Sequence, residues 1–175
     1  MSDHTTSPPG TDQRLDVRLM EPGERSLAAM ILADATVAGT EEEAARVVAE
    51  HEAKEGSAVF LVYLDGLPVG AFILAPAQMS VEMPLIAVRK EMRRRGLGTI
   101  IVQDAVRRAG NRPVVAETPE ELMPFFTKVG FKKFGRRKGP NGETRYRVGW
   151  HTPGMRNPTG QAPVTILVSI SLWMR

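Results

Sequence analysis

Apolar and polar positions along the chain change period several times, and each change marks an element. Residues 15–19, Leu-Asp-Val-Arg-Leu, alternate as a half-buried strand does. After the Glu21-Pro22-Gly23-Glu24 turn, Leu27, Ile31, Leu32 and Ala35 share one helical face, which predicts a helix over 25–37 broken by Gly39. Thr40-Glu41-Glu42-Glu43 has the form of a capping box, with acids suited to a first turn, and predicts a second helix to about Glu55. An apolar run over 58–64 and its return over 69–74 flank Asp65-Gly66, a hairpin turn. Residues 79–88 read as one longer strand carrying Glu82. Pro84 removes a ladder donor and should leave that strand unpaired on one side.

The next stretch organises the rest. Leu85-Ile86-Ala87-Val88 is a buried strand, and Leu97, Ile100, Ile101 and Ala105 recur at helical spacing until Gly110 and Asn111. Between them lies Arg93-Arg94-Arg95-Gly96-Leu97-Gly98. The first amides of a helix lack internal partners and carry partial positive charge, and glycines let an anion approach the backbone. A basic, glycine-punctuated strand-to-helix turn therefore predicts a pyrophosphate site. No Gly-Lys-Ser/Thr follows, so it is not a P-loop, and it lacks the three glycines of the dinucleotide fingerprint. Further on come a short strand over 114–116 and a helix from Thr118 as N-cap through Pro119 to about Val129. A hairpin over 132–137 and 144–149 turns at Gly139-Pro140-Asn141-Gly142.

Charge divides the chain. Residues 1–82 carry 14 acidic and 5 basic side chains, a net of −9, while residues 83–175 carry 6 and 18, a net of +12. The basic half suits a polyphosphate ligand; nucleic acid, a membrane surface and a plain solvated face are the other readings. At 175 residues without cysteine, the chain reads as one domain free of disulfides, thiolate nucleophiles and cysteine metal sites, compatible with a reducing cytoplasm. Residues 1–14 are polar and read as a disordered leader. Residues 151–163 have linker composition, and the apolar tail over 164–175 is too short for a spanning helix. That tail suits an extra edge strand or a homodimer contact, or lies outside the fold. His4, His51 and His151 share no ligand spacing, so no metal is expected.

Arg93-x-x-Gly96-x-Gly98 resembles the Arg/Gln-x-x-Gly-x-Gly/Ala signature of the GNAT N-acetyltransferase superfamily. Phe125-Phe126-Thr127-Lys128-Val129-Gly130-Phe131 is similar to its aromatic-x-x-x-Gly-Phe segment. The resemblance covers roughly residues 15–150 and implies an α/β (α+β) fold, a mixed, mostly antiparallel sheet flanked by helices. It also implies an acetyl-CoA cosubstrate and transfer to a primary amine of a small molecule or peptide. On that resemblance, amides of Arg94, Arg95, Gly96, Gly98 and Thr99 hold the pyrophosphate, and Arg93 begins the loop. Backbone groups of Ile86 and Val88 pair with the pantetheine arm, which requires strand 114–116 to splay from its neighbour. Val88 N–H is the oxyanion donor. Glu82, eleven residues before Arg93, stands where histone-type members carry a base, and is otherwise an exposed strand carboxylate. By period-two alternation it shares a face with Pro84, Ile86 and Val88.

Two positions depart from the family pattern. Phe126 stands where many members have the tyrosine that protonates the leaving thiolate, and Pro119 where many have an asparagine. Tyr63 and Tyr146 are the remaining phenols. Glu117 is either a second carboxylate at the cleft or a charge favouring the next helix N-terminus. The acidic region over 21–55, where this superfamily builds its acceptor site, would draw a cationic acceptor, or serves solubility. A non-catalytic CoA-binding or regulatory module is the alternative to an enzyme. Sparse aromatics speak against a nucleic-acid binder.

Overall fold

The structure, a computed structural model, describes residues 13–110 and 112–151; the expected tail, nearly all of the leader and linker, and Asn111 lie outside them. In chain order the elements are β1 (Leu15–Leu19), α1 (Arg25–Leu32), α2 (Glu41–Ala53), β2 (Ala58–Leu64), β3 (Leu67–Pro76), β4 (Val81–Glu82), β5 (Ile86–Val88), α3 (Leu97–Ala109), β6 (Val114–Pro119), α4 (Met123–Lys128), β7 (Lys132–Lys138) and β8 (Thr144–Trp150). The sheet runs β1-β2-β3-β4-β6-β8-β7, with β5 also on β3, and only β4 and β6 pair in parallel. This is the mixed, mostly antiparallel arrangement expected.

Two apolar layers cover the sheet. One face packs Phe60, Val62, Phe72, Leu74, Val81, Met83, Val114, Ala116 and Val148 against Leu97, Ile101, Val102, Ala105 of α3 and Phe126 of α4. Phe60 and Phe72 stack at 4.8 Å, worth about 1 kcal/mol beyond the area they bury. The other face packs Val59, Leu61, Ala71, Ile73 and Ala87 against Ala28, Ala29, Ile31 and Leu32 of α1 and Ala44 and Val48 of α2. At the β2–β3 hairpin, Asp65 and Gly66 both take positive φ, 51° and 80°, as a tight turn between right-twisted strands demands.

The strand expected over 79–88 is two strands. Val81 N–H bonds to Pro113 O and Met83 N–H to Val115 O, and there the pairing with β6 stops. Ala75 of β3 stands opposite Glu82, and Phe72 opposite Ile86. Three steps along β3 thus match four along its partner, leaving one extra residue at Met83-Pro84. A single-residue bulge of this kind shifts the side-chain alternation by one. Val81 and Met83 pack on the α3 face, and so do Ile86 and Val88, whereas Leu85 and Ala87 pack on the α1 face. Glu82 therefore lies on the face opposite Ile86 and Val88, not with them as uninterrupted alternation predicts.

Three helix boundaries also differ. The α-helical part of α1 ends at Leu32, and a 3-10 turn over Ala33–Ala35 replaces its last turn. Thr40 caps α2, its hydroxyl accepting from Glu43 N–H at 3.2 Å, but the Glu43 carboxylate accepts from Ala38 N–H, so the box is not reciprocal. Thr118 is no cap. It is a buried β6 residue whose hydroxyl donates to Pro119 O, and α4 starts only after a 3-10 turn over Glu120–Leu122.

Gly70 of β3 lies opposite Val88, where an added Cβ would stand 2.8 Å from Ile101 Cδ1 and 3.0 Å from Ala87 O. Gly70→Ala is expected to cost about 1–3 kcal/mol, the usual penalty for overpacking; an unchanged urea midpoint would show that α3 and β5 do not meet there. A second expectation concerns acid. Glu24 accepts from Arg18 at 2.9 and 2.6 Å, from Tyr63 OH at 2.6 Å and from Glu21 N–H at 2.9 Å. These donors, the Arg18 guanidinium first, lower its pKa from 4.5 to about 2. A folded-state pKa below the unfolded value stabilises above the unfolded value and is lost as pH falls toward the folded one. Melting temperature should thus drop more steeply between pH 4.5 and 2 in the native chain than in Glu24→Gln; parallel curves would remove this anchor from the account.

Candidate active site

The turn between β5 and α3 is held open from both ends. A 3-10 turn over Lys90–Met92 brings the chain back, and Arg93 N–H bonds to Lys90 O at 3.3 Å. Arg94 and Gly96 then adopt left-handed φ of 64° and 81°. The next backbone bond is Ile100 N–H to Gly96 O, the first of α3. The amides of Arg94, Arg95, Gly96, Leu97, Gly98 and Thr99 consequently find no acceptor among the described residues. A run of free N–H groups alternating through left-handed residues forms an anion cup, reinforced by the helix dipole and the exposed Arg94 and Arg95 side chains.

The two glycines serve different ends. Gly96 takes a conformation costly for other residues, with open space where a Cβ would be. Gly98 is small because α4 needs room: a Cβ there would stand 3.2 and 3.3 Å from the Phe125 ring. Arg93 does not project its guanidinium into the cup. Its Nε donates to Val88 O at 2.8 Å and its Nη2 to Asp34 at 2.9 Å, with Lys90 Nζ 3.2 Å from the same carboxylate. The Arg93 side chain therefore ties the turn to β5 and to the end of α1.

Beside the cup, β5 offers one free edge. Ile73 N–H bonds to Leu85 O and Arg89 N–H to Val69 O, with Ala71 opposite Ala87 between them. Those residues face β3, so the amides and carbonyls of Ile86 and Val88 point the other way, where β6 has already diverged. This is the expected splay. Val88 O is taken by Arg93, which leaves Val88 N–H and both groups of Ile86 on the free edge.

On the α1 face, beyond the bulge, lies a cavity of about 380 Å³. Its floor is Glu82, Met83, Pro84, Leu85, Val115 and Glu117; the 35–37 turn with Glu43 and Val47 of α2 forms one wall, and Arg137, Pro140, Arg145 and Arg147 the other. Glu82 has no hydrogen bond or ion pair among the described residues and is exposed to this space. Arg137 donates to both oxygens of Glu117 at 2.6 to 2.9 Å and holds that carboxyl below its ordinary pKa, aided by Arg145 and Arg147. Glu117 is thus a paired carboxylate at the cleft rather than a helix-terminus charge.

The residues singled out from the sequence, the turn from Arg93 to Thr99, the β5 edge and Glu82, are brought together by the fold around one bulge. Sequence reasoning alone did not signal every feature beside them. It missed the arginine wall, although Arg137 opposite Arg145 and Arg147 opposite Glu117 follow from the hairpin register. It missed Asp34, 59 residues from Arg93, which no local pattern signals. Of the α2 acids only Glu43 lines this cavity, where three arginines face three carboxylates. Neither phenol lines this cavity. Tyr63 OH is bound to Glu24, and the Tyr146 ring lies under Lys133. Phe126 is a buried core ring between Phe125 and Phe131.

Residues 55–133 match the family described as acetyltransferase (GNAT) domain. No curated protein matches the chain. Among solved structures, an acetyltransferase of GNAT family from Streptococcus pneumoniae is similar at a TM-score of 0.60 and 20% identity, over 79% of this chain and 100% of that one. An aminoglycoside 6'-N-acetyltransferase complexed with coenzyme A reaches 0.66 at 13% identity, over 78% and 96%. The Salmonella typhimurium protein yncA, solved with its cofactor acetyl-CoA, reaches 0.63 at 15%, over 82% and 97%. Gly96→Ala, which forces a side chain into the left-handed turn, is expected to weaken CoA binding about tenfold by titration calorimetry, some 1.4 kcal/mol. Unchanged affinity would mean that the cup binds nothing.

Proposed function

Because residues 55–133 match the GNAT acetyltransferase domain family, we propose an acetyl-CoA-dependent N-acetyltransferase acting on a primary amine of a small molecule or peptide. The observation that carries this reading is the pairing of two free backbone surfaces. The amides of Arg94 to Thr99 suit a diphosphate, and the adjoining edge of Ile86 and Val88 suits an amide-bearing arm added like a strand. Crystal structures of the similar proteins with coenzyme A and acetyl-CoA support the choice of cosubstrate. No helix among the described residues is long and apolar enough to cross a membrane, and a cysteine-free chain suits a cytoplasmic setting.

In this reading the amine nitrogen attacks the thioester carbonyl carbon. Val88 N–H donates to the oxyanion that forms, the C–S bond breaks, and CoA leaves as thiolate. Glu82, with no competing partner, takes the amine proton directly or through water. Phe126 cannot supply an acid, but a thiolate is a good enough leaving group to depart unprotonated and take its proton from water, so the missing phenol slows the step without forbidding it. The same missing acid is what favours the second reading, a module that binds CoA without turnover.

Acetyl-CoA and CoA, but not ATP, should raise the melting temperature, since a ligand of the native state stabilises it. Glu82→Gln should lower kcat about a hundredfold with CoA affinity unchanged, within the usual range for a lost base. Binding without acetylation of any amine would select the second reading, and no CoA binding would remove both.

A further inference from the structure

The cavity sets three arginines against three carboxylates, and not all of these groups are hydrogen-bonded. Arg145 of β8 stands in the register opposite Pro119 of β6 and Arg137 of β7, on the cavity side of the sheet. Its side chain is only 18% exposed, so the stem is fixed by packing. Its guanidinium nonetheless makes no hydrogen bond among the described residues. The nearest carboxylate is Glu143, with Nη1 to Oε1 at 3.9 Å, too far for a bond, and Glu143 Oε2 already accepts from Asn141 N–H. The neighbouring Arg137 differs in being spent on Glu117 through three hydrogen bonds. Arg147, also without a hydrogen bond among the described residues, has its Cζ over the Phe134 ring, 5.2 Å from the centroid.

On the floor below the opposite wall stands Glu82, which has no hydrogen bond or ion pair among the described residues. Glu43, beside it in the lining, is satisfied by Ala38 N–H. A cavity of about 380 Å³ that offers one unpaired carboxylate and, from the hairpin side, one guanidinium without a hydrogen bond fits a small dipolar molecule. A guanidinium held by its stem, with its fork uncommitted, is a bidentate carboxylate receptor. A purely cationic amine would leave the Arg145 fork without a hydrogen-bond acceptor.

We propose that the acceptor is a small amino acid or closely related amine bearing a carboxylate, Arg145 taking the acid while the amine lies toward Glu82. This rests on the acetyltransferase reading and narrows it. The acid fixes the orientation of the molecule across the bulge and points its nitrogen toward the free edge of β5. Arg145 is then a specificity-determining residue, distant from the bond that forms.

The test compares amino acids with their carboxamides and with the decarboxylated amines, using acetyl-CoA and the full chain. The acids should be preferred at least tenfold in kcat/KM, mainly through KM. Arg145→Gln should abolish most of that preference by raising KM for the acids, and Arg145→Lys, which keeps the charge, should restore part of it. Equal turnover of acids and carboxamides, or a preference that survives Arg145→Gln, would overturn the proposal while leaving the acetyltransferase intact. If no amine is acetylated, the enzyme reading falls. The carboxylate site is then judged by calorimetric titration of the same acids and carboxamides in the presence of CoA. Tighter binding of the acids, lost in Arg145→Gln, upholds it, and equal binding overturns it.

Discussion

The site depends on one extra residue. Between Glu82 and Ile86 the chain spends four steps where β3 spends three, and Pro84 sits in the surplus with no amide to give. Before the bulge, the strand is bonded to β6 through Val81 and Met83; after it, the strand follows β3 alone. An interior strand is thereby turned into an edge over three residues, in the middle of an otherwise continuous sheet. Edges are usually blunted or covered because their free groups recruit other chains. Here the free edge faces the gap left where β6 diverges, next to the run of unbonded amides.

The same bulge separates two kinds of chemistry. The phase shift keeps Ile86 and Val88 packed toward α3, while Glu82 faces the cavity on the α1 side. The free edge of β5 and the unpaired Glu82 carboxylate thus lie on the two sides of the bulge, and in the proposed reaction the reacting group would pass between them at the splay. Arg93 stiffens this junction. By gripping Val88 O and Asp34, it couples the cup, the free edge and the end of α1 into one unit. The Arg93 side chain, which begins the loop, is committed to these two contacts.

Much of this was legible in the residues, and the failures share a cause. Periodicity located the strands and helices because each buries a face with its own repeat. The cup was readable because glycine spacing and charge are local. Pro84 announced an interruption, but only the register against β3 shows that it inserts a residue and moves Glu82 to the other face. Thr118-Pro119-Glu120-Glu121 carries every mark of a helix start. Pairing with β8 as far as Pro119 overrides it, tertiary contact outweighing local propensity. The arginine wall and the Asp34 clamp join residues distant in sequence, and no local pattern contains them.

The split in charge also changes meaning once folded. The acidic first half does not make an acidic pocket, because Glu41 and Glu42 are exposed on α2 and the β7–β8 hairpin supplies arginines from the basic half. What remains is a polarised cavity next to an anion cup. The most direct measurement of the whole account is amide hydrogen exchange with and without CoA, resolved by residue. Slowed exchange confined to Ile86, Val88 and the amides from Arg94 to Thr99 is expected. Protection elsewhere, with these amides unchanged, would contradict it.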